Sequence, residues 1–163
     1  MRSIELVFDD DTESAVRADW VRLAEAGLPS LAGHTGASNR PHLTLAAGAE
    51  LFVPPLHAFE GALPLSVDFS GVQVFAAGRD KYVLARSVVL TTPLRKVHQR
   101  LHREIGGAVP QTLPGAWTPH VTLARRLTGE QLGKAMDLLD LRLGGTIVAA
   151  RLWDSTTRSV TGL

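Results

Sequence analysis

Trp117-Thr118-Pro119-His120-Val121-Thr122-Leu123-Ala124-Arg125 echoes at its centre an earlier stretch, Arg40-Pro41-His42-Leu43-Thr44-Leu45-Ala46. Both read Pro-His-apolar-Thr-Leu-Ala. Side chains alternate across a β-strand, so in each copy the His and the Thr leave one face while the apolar residue and the Leu leave the other. One face then carries an imidazole beside a hydroxyl, and the other feeds a core. Proline cannot donate to a strand ladder, which places each His near the start of its strand. From average residue usage, two copies this alike should coincide by accident in well under roughly one chain in a hundred.

The two histidines stand about half a chain length apart, which suggests two similar halves that each give one strand to a shared cleft. An unperturbed imidazole titrates near pH 6.5, so one ring can be neutral and the other protonated at neutral pH. That is what paired general-base and general-acid catalysis requires. Thr44 and Thr122, on the same strand faces, could donate to the non-bridging oxygens of a phosphodiester held between the rings. Which ring acts as base depends on burial and neighbours that a sequence does not display.

The motif pair resembles the two-histidine (2H) phosphoesterase superfamily, marked by a tandem His-x-Thr/Ser-x, and within it the 2′-5′ RNA ligase and cyclic phosphodiesterase group. The resemblance implies an α+β fold over residues 1–163, bilobal with pseudo-twofold symmetry, in which two antiparallel sheets line a cleft and helices lie outside. It implies His42 and His120 as catalytic residues and a ribose 2′,3′-cyclic phosphate or 2′-5′ phosphodiester as substrate, in an RNA end or a small nucleotide. Hydrolysis or reversible ligation would follow, with no cofactor and no metal. Arg125 matches the arginine that closes the second motif in that family and contacts phosphate or ribose. Strict alternation would turn Arg125 away from the cleft and Arg126 into it, a conflict that a bulge would resolve. Arg40 shares parity with His42 and is a second candidate for substrate binding.

Composition sets the outer bounds. The chain has 163 residues, 45% hydrophobic and 20% charged, with formal net charge +1, enough for one core or two lobes that share one. So small a charge gives no strong field for long nucleic acid or a membrane surface. There is no cysteine, which rules out thiolate nucleophiles and sulfur-built zinc sites. The acids Asp9, Asp10 and Asp11 follow Ile4 to Phe8 directly, unlike a signal peptide, and a monomer in the cytoplasm is the expectation.

Periodicity gives the remaining elements. Ile4 to Phe8 reads as a strand, followed by a helix capped by Asp11 or Thr12 with Val16, Trp20 and Leu23 on one side. Residues 33–39 read as a loop containing His34, a solvated residue, and the Pro54-Pro55 region as a short helix with His57 on the surface. Leu63 to Ala76 reads as a strand or a bent pair of strands, and Tyr82 to Val89 pairs back on it as a hairpin. A helix capped by Thr91 or Thr92 carries Leu94, Val97 and Leu101 inward, with His98 and His102 on a solvated face beside that stripe. Thr128 opens another helix, Gly144-Gly145 breaks it off, and Thr146 to Trp153 is a final strand. Tyr82 and Trp117 could stack a base, although packing is the commoner role for aromatics.

Two other readings compete. A binding module could sense a nucleotide or RNA end without turnover, though binding alone does not need two matched proton carriers. A metal-dependent hydrolase could use His98 and His102, one helical turn apart, but the stretch lacks the glutamate and third ligand of known zinc arrangements.

Overall fold

The computed structural model describes every residue of the chain except Thr35 and Ala37, so the loop expected over 33–39 is described in part and those two residues lie outside it. Among the described residues there are seven strands and three α-helices, in an α+β arrangement. The strands are β1 (Arg2–Phe8), β2 (His42–Gly48), β3 (Leu65–Ala76), β4 (Tyr82–Val88), β5 (His120–Leu127), β6 (Arg142–Asp154) and β7 (Ser159–Gly162). The helices are α1 (Asp10–Glu25), α2 (Thr92–Glu104) and α3 (Gly129–Met136). None of them is long and apolar enough to cross a membrane.

All strand pairings are antiparallel, in the order β2-β1-β6-β3-β4-β5, with β7 beside β6. The two expected sheets are thus two wings of one continuous, unclosed sheet, joined through β6. Residues 147–154 of β6 pair with β1, and residues 142–147 pair with β3. Both motif strands are outermost, and β2 and β5 approach each other without forming a ladder. The pseudo-symmetry shows in element order. β1, α1, a 3₁₀ turn at Leu31–Gly33 and β2 are matched by β4, α2, a 3₁₀ turn at Pro110–Thr112 and β5.

The alternation read in the motifs is realised in both strands. His42 and Thr44 are half-buried while Leu43 and Leu45 are buried, and His120, Val121, Thr122 and Leu123 repeat the pattern. Leu43, Leu45 and Leu123 are wholly buried, each contributing about 2 kcal/mol of transfer free energy. Each strand also carries a bulge at the same place. Thr44 and Ala46 pair with adjacent residues Glu5 and Ile4, leaving Leu45 extra, and Thr122 and Ala124 pair with Ala85 and Leu84, leaving Leu123 extra.

Local chemistry explains where the helices begin. Asp9, not Asp11 or Thr12, caps α1 by accepting from the Thr12 amide at 3.0 Å, and Asp10, Asp11 and Glu13 sit in the positive first turn. Thr12 is thereby free to accept from the Thr146 amide at 3.0 Å. This contact explains why Gly144-Gly145 lies inside β6 and is not the end of the Thr128 helix as expected; that helix, α3, ends at Met136. A Cβ on Gly145 would meet Thr12 Cγ2 at 2.5 Å, so the glycine admits the start of α1 against the strand. Thr91 caps α2 with Pro93 in its first turn, and Thr128 opens α3 through a capping box with Gln131. The short helix expected near Pro54-Pro55 is absent. That segment is a run of turns with a bridge between Phe52 and Gly106, since consecutive prolines remove two donors and hold Val53 extended.

Candidate active site

The two motif histidines are held in the same way. His42 Nδ1 lies 2.7 Å from the carbonyl of Arg40, and His120 Nδ1 lies 2.8 Å from the carbonyl of Thr118. A carbonyl can only accept, so each Nδ1 carries a hydrogen and each Nε2 is the nitrogen free to take or give a proton. Both rings are thus fixed in one tautomer by the residue two places upstream, where the chain enters the strand.

Two adjoining hollows lie along the motif strands. The larger, about 820 Å³, is lined by His42, Glu5, His34, Arg125, Arg126, Arg151 and Trp153 among others. The smaller, about 370 Å³, is lined by His120, Thr44, Thr122, Phe75, Trp117 and Arg125 among others. Thr44 from β2 and Thr122 from β5 therefore meet in one hollow, and Arg125 borders both. Each volume falls in the range of small-molecule sites.

Around the rings the electrostatics differ. Burial pushes the His120 pKa below its ordinary value, and the positive fields of His42 and Arg125 act in the same direction, against the hydrogen bond to Thr118. The Phe75 ring stands 4.7 Å from the His120 ring, centre to centre. On the other side, His42 Nε2 is 3.7 Å from a carboxylate oxygen of Glu5. Glu5 is buried in strand β1, where Arg151 of β6 donates to it from Nε at 2.9 Å and Ser3 Oγ lies 2.7 Å away.

Of the other residues singled out by sequence, Arg125 lines the site because the Leu123 bulge resets strand parity, resolving the conflict with simple alternation. Arg40 does not share that space. It precedes β2, so strand parity does not govern it, and its guanidinium is bound to Glu13 of α1 at 2.6 Å. His34, read as a solvated loop residue, is exposed but lines the larger hollow. His57 is a surface residue bonded to Glu60 at 2.8 Å.

His98 and His102 depart from their expected solvated face. His98 is 2% exposed, stacked on Trp117 at 4.0 Å between centroids, and its Nε2 donates to the Thr112 carbonyl at 2.9 Å. His102 Nε2 donates to the carbonyl of Leu45, the bulge residue of β2, at 3.1 Å. Trp117 in turn donates from Nε1 to the Thr44 carbonyl at 2.9 Å, so its ring is a strut and not a free stacking platform. From the other half, Trp20 of α1 donates to the Thr122 carbonyl at 3.1 Å. Each motif threonine is therefore braced through its backbone by a tryptophan of the opposite half.

Glu5 and Arg151 escaped the sequence reading. The available signal was a charged residue in the middle of each of two apolar strands, Ile4-Glu5-Leu6 and Ala150-Arg151-Leu152, which demands a buried partner.

A family model described as the 2′-5′ RNA ligase superfamily matches residues 12–157. Among solved structures, Kluyveromyces marxianus Usb1 with uridine monophosphate is similar over 99% of this chain and 96% of that chain, with TM-score 0.50 and 14% identity. A second structure of Kluyveromyces marxianus Usb1 covers the same shares with TM-score 0.50 and 13% identity. At these identities the likeness is one of fold. No protein of curated function matches the sequence.

Proposed function

Since the chain belongs to the 2′-5′ RNA ligase superfamily, we propose that it is a phosphoesterase acting on a ribose 2′,3′-cyclic phosphate or 2′-5′ phosphodiester, with His42 and His120 as its acid and base. The observation that supports this reading is the matched tethering of the two Nδ1 atoms on facing strands, with Arg125 common to both hollows.

His120 is the base. A lowered pKa keeps its ring neutral near pH 7, so Nε2 can take a proton from water as the water oxygen bonds to phosphorus. His42, the acid, gives its Nε2 proton to the departing ribose oxygen as the phosphorus–oxygen bond breaks, leaving a phosphate monoester. Two proton transfers balance the step, and exchange with solvent restores both rings. In the ligation direction a ribose 5′-hydroxyl takes the place of water. Thr44 and Thr122 donate to the non-bridging oxygens and Arg125 balances their charge. Phe75 gives the smaller hollow an apolar wall that suits a nucleobase. The mechanism uses neither a nucleophilic side chain nor a metal.

The experiment is hydrolysis of a nucleoside 2′,3′-cyclic phosphate with chelator present, in wild type, His42→Ala and His120→Ala. Turnover in the wild type that either substitution removes supports the reading. Tight binding without turnover would replace it with a sensing role, and activity abolished by chelator would replace it with metal chemistry.

A further inference from the structure

A second bulge on β5 has no counterpart on β2. Between the pairs Leu84–Ala124 and Tyr82–Leu127, β4 holds one residue and β5 holds two, Arg125 and Arg126, and Arg126 absorbs the extra length at φ 64°. A left-handed backbone is unfavourable for a side chain of this size, and Gly or Asn fills such positions more readily. The consequence is positional. Consecutive residues that alternation would send to opposite faces both line the hollow beside His42.

Arg125 also borders the hollow of His120, so it belongs to the space between the rings, whereas Arg126 lines only the His42 side. No ion pair among the described residues engages either guanidinium. The hollow contains a third guanidinium, Arg151, and one carboxylate, Glu5, and these two are paired with each other. Two uncompensated cations therefore face a space large enough for part of a nucleotide.

We propose that this hollow takes a second phosphate, the one on the ribose 5′ oxygen that joins a terminal nucleotide to the rest of an RNA chain, and that Arg126 determines specificity for it. The planar guanidinium fork matches phosphate oxygens, and the next anionic group along a nucleotide substrate is that phosphate. The inference rests on the functional reading above and narrows its substrate to an RNA end, in preference to a free cyclic nucleoside monophosphate.

The test compares a nucleoside 2′,3′-cyclic phosphate with and without a 5′-phosphate, by calorimetry on His120→Ala, which suppresses turnover, and on the double variant His120→Ala/Arg126→Gly. Glycine adopts φ 64° without strain, so the fold is retained, and thermal denaturation checks this. The expected result is that the 5′-phosphate tightens Kd by about tenfold or more with Arg126 present. In the double variant the gain falls below about threefold. An equal gain in both proteins, or no gain in either, overturns the proposal. Wild-type turnover is read separately. Its failure would defeat the hydrolytic reading, while a binding gain that depends on Arg126 would still uphold the second-phosphate site.

Discussion

The two halves present one motif on one kind of strand, and their histidines nevertheless sit in different chemistry. In the first wing Glu5 pairs opposite Thr44, and its carboxylate reaches to 3.7 Å from the His42 ring. In the second wing Ala85 holds the corresponding place opposite Thr122, and His120 meets the Phe75 ring. Two residues beyond the bulge residues stand Ala47 on β2 and Arg125 on β5. The shared backbone positions two rings in the same way, and the unshared neighbours give each ring different surroundings. If the two rings divide the proposed acid and base roles, the difference lies in what surrounds the motifs.

Replacing the rings tests that division most severely. His42→Ala and His120→Ala should each lower kcat/KM by about 10² to 10⁴. Their pH profiles should differ. The wild-type rise with pH should centre below 6.5, because a base with a lowered pKa is already neutral there. That limb should vanish in His120→Ala and persist in His42→Ala; the opposite pattern would exchange the roles.

Glu5→Gln probes the feature found only in the first wing. It leaves Arg151 buried without its charge partner, at a cost of about 3 to 5 kcal/mol in urea denaturation. A loss under about 1 kcal/mol would place the pair among surface-like bridges and remove it from the account of His42.

Acid should loosen the support of β2 before that of β5. His98, behind β2, has its pKa lowered to about 4 by burial and by the charge of His102. The unfolded chain takes up this proton as pH falls below 6.5 and the folded chain does not until about pH 4. The stabilisation is therefore full above pH 6.5 and is lost progressively down to pH 4. Between pH 7 and 5 this contributes about 2 kcal/mol of lost stability. His98→Phe should flatten that dependence in denaturation curves taken across the range.

The smallest effect should come from the tryptophan braces. Trp20→Phe and Trp117→Phe each leave one strand carbonyl without its donor, at about 1 kcal/mol. Near-equal losses would mark the braces as equivalent; a much larger loss for Trp117 would show that stacking on His98 adds to its role.

Both motif strands and the hairpin were legible because strand parity and turn chemistry are local. So was the Thr128 cap, and the α2 cap to within Thr91 or Thr92, for the same reason. The departures share a different cause. His98 looks solvated on its own helix, and only Trp117 and Thr112, brought from farther along the chain, bury it. Gly144-Gly145 looks like a break until Thr12 arrives from the other end of the sequence to occupy the space. Arg40 lies two residues before the strand whose parity would have turned it to the cleft, and Arg125 required a bulge that residue types do not announce.

The crossed braces have a bearing on how the molecule could be taken apart. Trp20 in the first half steadies the strand of His120, and Trp117 in the second steadies the strand of His42. Severed at the hairpin turn near Gly78, each piece would keep a histidine and forfeit the partner that stiffens it. Likeness between the halves therefore confers no independence on either, since each has its upkeep on the far side of the cleft.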